Sequence, residues 1–110
     1  MIVQIWQGIA LASNVNQCQR FLNEQVLPYY QNIDGNLGVY LCREVNEQLV
    51  NFLFLSIWES QESLEKFASL GIEAAIHSQA KGKLLLAFES TTRDYEVFQW
   101  SEPETENRKQ

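Results

Sequence analysis

His77 is the only histidine in the chain. Imidazole loses its proton nearest neutral pH, which makes His77 a candidate general base or metal ligand. Beside Ser78 and Gln79 it also fits an ordinary solvated helix position. No spacing of His, Cys, Asp or Glu supplies the three or four protein ligands of a zinc site, so no metal is expected from the residues themselves. Trp58 stands where an apolar run meets a helix start. Its indole can be core packing, or it can wall a pocket and stack on a flat ligand. Trp6 and Gln4 share one face of the first strand if that strand is regular, and Phe54 shares a face with Trp58. Together Trp58, Trp6 and Phe54 are candidate pocket walls, with Gln4 and His77 as the polar groups that place or deprotonate a substrate. Tyr29 and Tyr30 read as seals of a helix–sheet edge, and Arg43 as an edge or subunit-contact residue, with an interior arginine that binds an anionic substrate as the alternative.

The elements that position these residues follow from periodicity. Residues 2–11 alternate and predict a strand. Ser13 or Asn14 then offers a helix N-cap, with Gln17 completing a capping box. Val15, Cys18, Leu22 and Val26 form a helical stripe, ended or bent by Pro28. The turn at Asp34-Gly35-Asn36 leads into strand 37–45. Asn46 and Glu47 make the short connection of a hairpin to strand 49–58. Ser60 caps a helix with Leu64, Phe67 and Ala68 buried, and Gly71 stops it. Ile72, Ala75, Ile76 and Gln79 predict another short helix, ending near 81–83. Residues 84–88 are ambiguous between strand and buried loop, and 92–100 read as the last strand.

The strand at 49–58 is apolar on both faces. Leu49, Leu53, Leu55 and Ile57 lie on one, Val50, Phe52, Phe54 and Trp58 on the other. An antiparallel strand in a small monomer normally keeps one face wet. One helical layer covers one face only, so the second cover is expected from another copy of the chain, a homodimer. The order β-α-β-β-α-(α)-β is that of a ferredoxin-like α+β fold: a four-stranded antiparallel sheet with helices on one face. Two such sheets facing each other make a dimeric α+β barrel.

Composition bounds the function classes. The 110 residues carry eight Lys and Arg against fourteen Asp and Glu, a net charge of −6. That length suits one domain, here residues 1–100, followed by a polar tail at 101–110. The acidic balance argues against nucleic acid and anionic membrane surfaces as partners. No run approaches the ~20 apolar residues of a membrane span, and the start does not read as a signal peptide. Cys18 and Cys42 form no CxxC and read as reduced core thiols of a cytoplasmic protein. There is no Gly-rich phosphate loop, G-x-S-x-G or Cys–His pair, so hydrolase, kinase and nucleotide-dehydrogenase chemistry finds no support.

Against this background the segment Leu55-Ser56-Ile57-Trp58-Glu59-Ser60, followed by Leu64 and Phe67-Ala68, resembles the W-x-S and hydrophobic-helix motif of antibiotic-biosynthesis-monooxygenase-like domains. Ile5-Trp6-Gln7-Gly8, the Asp34–Gly38 turn and Asp94-Tyr95-Glu96-Val97 resemble the corresponding parts of such domains, and the resemblance covers roughly residues 1–100. It implies a dimeric α+β barrel. The implied activity is that of a small, cofactor-independent monooxygenase, acting on an apolar or aromatic molecule between sheet and helices. Trp58 matches the family's pocket tryptophan. Some members bind and degrade haem through a histidine on the second helical stretch, and His77 lies at or next to that place. Those members also use an asparagine on the first strand, where this chain has Gln4, Trp6 and Gln7. A non-catalytic dimeric ligand-binding or scaffold protein is the alternative reading, and haem binding a further one.

Overall fold

The computed structural model describes residues 1–80, 87–88 and 92–102, with side chains for all of these except 77–80 and 87–88. The expectations placed on residues 81–86 and on the end of the tail fall outside the described residues. The chain begins with β1 (Ile2–Leu11), followed by a 3-10 turn at Ala12–Asn14 and helix α1 (Val15–Phe21). A π-helical turn at Leu22–Val26 leads into α2 (Leu27–Gln31). The hairpin of β2 (Asn36–Asn46) and β3 (Leu49–Trp58) comes next. Helices α3 (Gln61–Ala68) and α4 (Ile72–Ala80) precede the short strands β4 (Ala87–Phe88) and β5 (Arg93–Glu96). Every pairing is antiparallel, in the order β2-β3-β1-β4, with β5 on the same edge of β1 as β4. This is the ferredoxin-like arrangement, its fourth position shared by two short strands.

One register fact fixes the core. Ile2 pairs with Trp58, Gln4 with Ser56, Trp6 with Phe54 and Ala10 with Val50. These eight residues are buried on the helix side, because side chains alternate across a strand. The apolar stripe Val3, Ile5, Ile9 and Leu11 lies on the opposite face with Leu49, Leu53, Leu55 and Ile57. That open face carries exposed Ile9, Leu11, Tyr40, Leu49 and Tyr95. The doubly apolar reading of residues 49–58 therefore corresponds to one covered and one uncovered sheet face in the single chain.

Several local expectations are corrected. Asn14 precedes α1, but its side chain makes no capping bond; the chain instead enters through the 3-10 turn, tied by Ala12 N–H to Gln48 C=O at 2.8 Å. Pro28 does not end the helical stretch. The π turn, in which Leu27 N–H donates to Leu22 C=O, restarts the helix so that Pro28 falls in the first turn of α2. No intrahelical N–H is needed there. Ala68 and Ala75 are exposed, so the buried stripes reduce to Leu64 with Phe67, and to Ile76. Cys18 is buried as expected, but Cys42 is exposed, and neither forms a disulfide. The last strand is shorter than residues 92–100. After the bond from Val97 N–H to Met1 C=O it leaves the sheet, and Phe98 and Trp100 are exposed.

Ser60 caps α3 as the sequence predicts, its hydroxyl accepting from Ser63 N–H at 3.2 Å. The turn before β2 grips this junction. Glu59 N–H donates to Gly35 C=O at 2.7 Å. Gly35 has φ +88°, a left-handed conformation that suits glycine. No helix among the described residues is long and apolar enough to cross a membrane.

Candidate functional site

On the helix side of the sheet, β1 and β3 present Gln4, Trp6, Phe54, Ser56 and Trp58 to the helices, all nearly inaccessible to water. Tyr30, from α2, is the hub of an aromatic cluster. Its ring centroid lies 4.5 Å from that of Phe54, 4.6 Å from Phe67 and 6.4 Å from Trp58. Trp58 stacks at 4.9 Å on Phe67, and Trp6 meets Phe54 edge-on at 6.5 Å and 77°. Such tilted and edge-on pairs suit the ring quadrupoles.

The polar atoms within this cluster are placed individually. The Trp58 indole N–H donates to Ser56 Oγ at 2.9 Å, so a serine stands between Phe54 and Trp58 on an otherwise aromatic strand face. The Gln4 amide N–H donates to Thr92 Oγ1 at 3.1 Å. Glu73, in the first turn of α4, lines a cavity with Trp6, Val26, Tyr30, Phe54 and Ile76. Burial, and after it the charge of Asp94, hold its carboxyl above the ordinary carboxylate range. Burial, and after it the charge of Glu73, push the Tyr30 phenol well above its ordinary value. The carboxyl and the phenol thus share one low-dielectric space. The cavity is small, about 10 Å³, room for about one water.

Of the residues singled out from sequence, Trp6 and Phe54 line this cavity, and Gln4 lies on the same strand face two residues from Trp6. Trp58 is fully buried one layer away, behind Tyr30 and Phe67, and is not among the lining residues. His77 falls on α4, but its side chain is outside the described residues. Sequence reasoning missed Glu73 and Ser56 and treated Tyr30 as an edge seal. The signal was present: Glu73 stands three residues before Ile76 and so shares its helix face, and Ser56 alternates with Phe54 and Trp58. Among the described residues no group of three or more His, Cys, Asp or Glu is arranged to hold a metal ion.

No family model matches the chain, and no curated protein matches it by sequence. Solved structures do match its fold. A candidate antibiotic biosynthesis monooxygenase of Deinococcus radiodurans superposes with a TM-score of 0.76 at 13% identity, over 94% of this chain and 99% of that one. A monooxygenase from the ActVA-Orf6 gene of Streptomyces coelicolor, solved with nanaomycin D, gives 0.69 at 12% identity, over 94% and 92%. The haem-degrading MhuD of Mycobacterium tuberculosis, solved with two haems in its active site, gives 0.62 at 21% identity, over 93% and 100%. At these identities the likeness establishes architecture and leaves chemistry to the site. The chain has the fold of the antibiotic biosynthesis monooxygenases.

Proposed function

We propose that the protein is a small, cofactor-independent monooxygenase acting on an apolar, aromatic molecule at the Trp6–Tyr30–Phe54 cavity. One observation carries this reading: a carboxyl group, Glu73, is held among aromatic side chains with its proton affinity raised. A half-buried position needed only for packing would favour an apolar side chain, since partial burial already disfavours the charged carboxylate. A base of raised proton affinity beside aromatic walls suits removal of a proton from an acidic C–H or phenol.

The chemistry balances without an external reductant. The Glu73 carboxylate takes a proton from the activated CH₂ of an anthrone-like substrate, and the resulting carbanion reduces O₂. One oxygen atom enters the substrate as C=O, and the other leaves as water with the two methylene hydrogens. Gln4 would orient a substrate oxygen, and Trp6 and Phe54 would hold the ring. Trp58 supports the floor from behind. His77, one turn beyond Glu73 on α4, is the competing base. A flat substrate requires Glu73 and Ile76 to move off the aromatic floor, because the cavity now accommodates about one water. The test is oxygen uptake with anthrone and naphthohydroquinones. Turnover lost in Glu73→Gln and kept in His77→Ala supports the assignment; the reverse pattern moves the base to His77, and no turnover above the uncatalysed rate removes the activity.

The same small volume favours a second reading, a non-catalytic dimeric ligand-binding or scaffold protein whose aromatic cluster is simply core. Haem binding is the further reading; the described cavity would have to open further for a haem than for an anthrone, and no step is routed through that group. In both main readings the protein works as a homodimer. The open sheet face, with Ile5, Leu53, Leu55 and Ile57 at its centre and exposed Tyr40 and Leu49 around them, is a continuous apolar surface of the kind that marks an interface.

A further inference from the structure

A second cavity, of about 270 Å³, opens on the helix side at the outer edge of the sheet, between α1 and β2. Leu22, Leu41 and Phe52 give it an apolar floor, and Gln19, Asn23 and Arg43 form its rim. It is separate from the Trp6 cavity, which lies one helical turn further on, at Val26. We propose that this cavity binds a small organic acid, with the apolar body on the Leu22–Leu41–Phe52 floor and the carboxylate on Arg43.

Charge is the argument. The chain holds fourteen Asp and Glu against eight Lys and Arg, yet among the described residues no carboxylate forms an ion pair with Arg43. Arg43 is instead held by a neutral group: its Nη1–H donates to Gln19 Oε1. That bond fixes the guanidinium at the rim without neutralising it. The neighbouring Glu44 alternates to the other face of β2 and accepts from Asn46 at 3.1 Å. A guanidinium presents five N–H donors in a planar fork that matches a carboxylate bidentately. An oriented, uncompensated fork over an apolar floor therefore selects an anionic head with a hydrophobic body. The volume, about 270 Å³, lies just below the usual range of ligand cavities, about 300–1,000 Å³, which limits the ligand to a small acid. The inference does not rest on the oxygenase reading.

The experiment uses the full chain and two probes, 3-phenylpropanoate and its neutral isostere 3-phenylpropanamide, followed by ¹H–¹⁵N NMR titration. The acid should give saturable shifts at Gln19, Asn23 and Arg43, and bind at least ~10-fold more weakly to Arg43→Gln, the scale of a charge-assisted pair. The amide should bind wild type and Arg43→Gln alike. Asn23→Trp, an exposed helix position that puts an indole at the cavity, should abolish binding of both without touching the charge. Absent saturation with wild type, equal affinity of the acid for wild type and Arg43→Gln, or shifts confined to Trp6 and Ile76 would each overturn the proposal.

Discussion

Replacing Gly35 by alanine should loosen the junction that sets Trp58 and α3. Two costs can be worked from the structure. At φ +88° an L-residue sits in the left-handed region, a penalty of about 1–2 kcal/mol. A Cβ there would also lie 2.3 Å from Ser63 Oγ and 2.4 Å from Ser63 Cβ. Because Ser63 is in the first turn of α3, relief requires the helix start to shift, an overpacking cost of about 1–3 kcal/mol. The sum, about 2–5 kcal/mol, is a large part of the 5–15 kcal/mol that holds a typical domain together. The assay is urea unfolding followed by tryptophan fluorescence. A double-mutant cycle separates the two costs. Ser63→Gly by itself should cost about 0.5 kcal/mol through helix propensity. In that background Gly35→Ala should cost only its backbone share, so the coupling should be about 1–3 kcal/mol. An equal cost of Gly35→Ala with and without the serine side chain would refute the contact argument, and a total below about 1 kcal/mol would refute both.

Ser56→Ala should leave the Trp58 indole N–H buried without its acceptor and destabilise the fold by about 1–3 kcal/mol, read from urea midpoints. Glu73→Gln should change the pH dependence of stability. The folded carboxyl is held above its ordinary value, so over that window the folded chain binds a proton the unfolded chain has released. Stability therefore falls as pH rises from the ordinary carboxylate value to the raised one, and stays lower above it. The glutamine variant should lose that slope and exceed wild type in stability at neutral pH; unfolding midpoints across acid to neutral pH check it, and an unchanged slope would assign it elsewhere. Leu55→Arg places a charge at the middle of the open sheet face. Wild type should sediment at about twice the 12.8 kDa chain mass and the variant at the chain mass; a wild-type monomer at micromolar concentration would end the dimer reading.

How far the sequence could be read depended on the kind of signal. Strands 2–11 and 49–58 were legible to the residue because alternation and apolar runs report burial directly, and Ser60 was legible because a cap is a local bond. Pro28 marks an interruption of the helical stretch rather than its end, since a π turn upstream re-registers the helix and no sequence rule announces it. The end of the last strand was overextended: Phe98 and Trp100 carry strand propensity, but among the described residues no strand pairs with them. The site was half legible. Trp6, Gln4 and Phe54 follow from strand parity once the register is known. Glu73 stands in the first turn of α4, where an acid suits the helix dipole, and only the folded chain, with Asp94 near it, makes it a half-buried carboxyl lining the cavity. Trp58 shows the converse. Its place at the strand end was clear, but its position behind Tyr30 rather than at the cavity depends on how α2 crosses the sheet.

Under the proposed oxygenase reading, O₂ is reduced at the Trp6–Tyr30–Glu73 cavity by the substrate itself. Turnover of anthrone under ¹⁸O₂, with the product analysed by mass spectrometry, tests it most directly. Wild-type protein should form product with one ¹⁸O atom faster than the protein-free control, and Glu73→Gln should form it no faster than that control. A wild-type sample that forms no more ¹⁸O-labelled product than the protein-free control in the same time would contradict it.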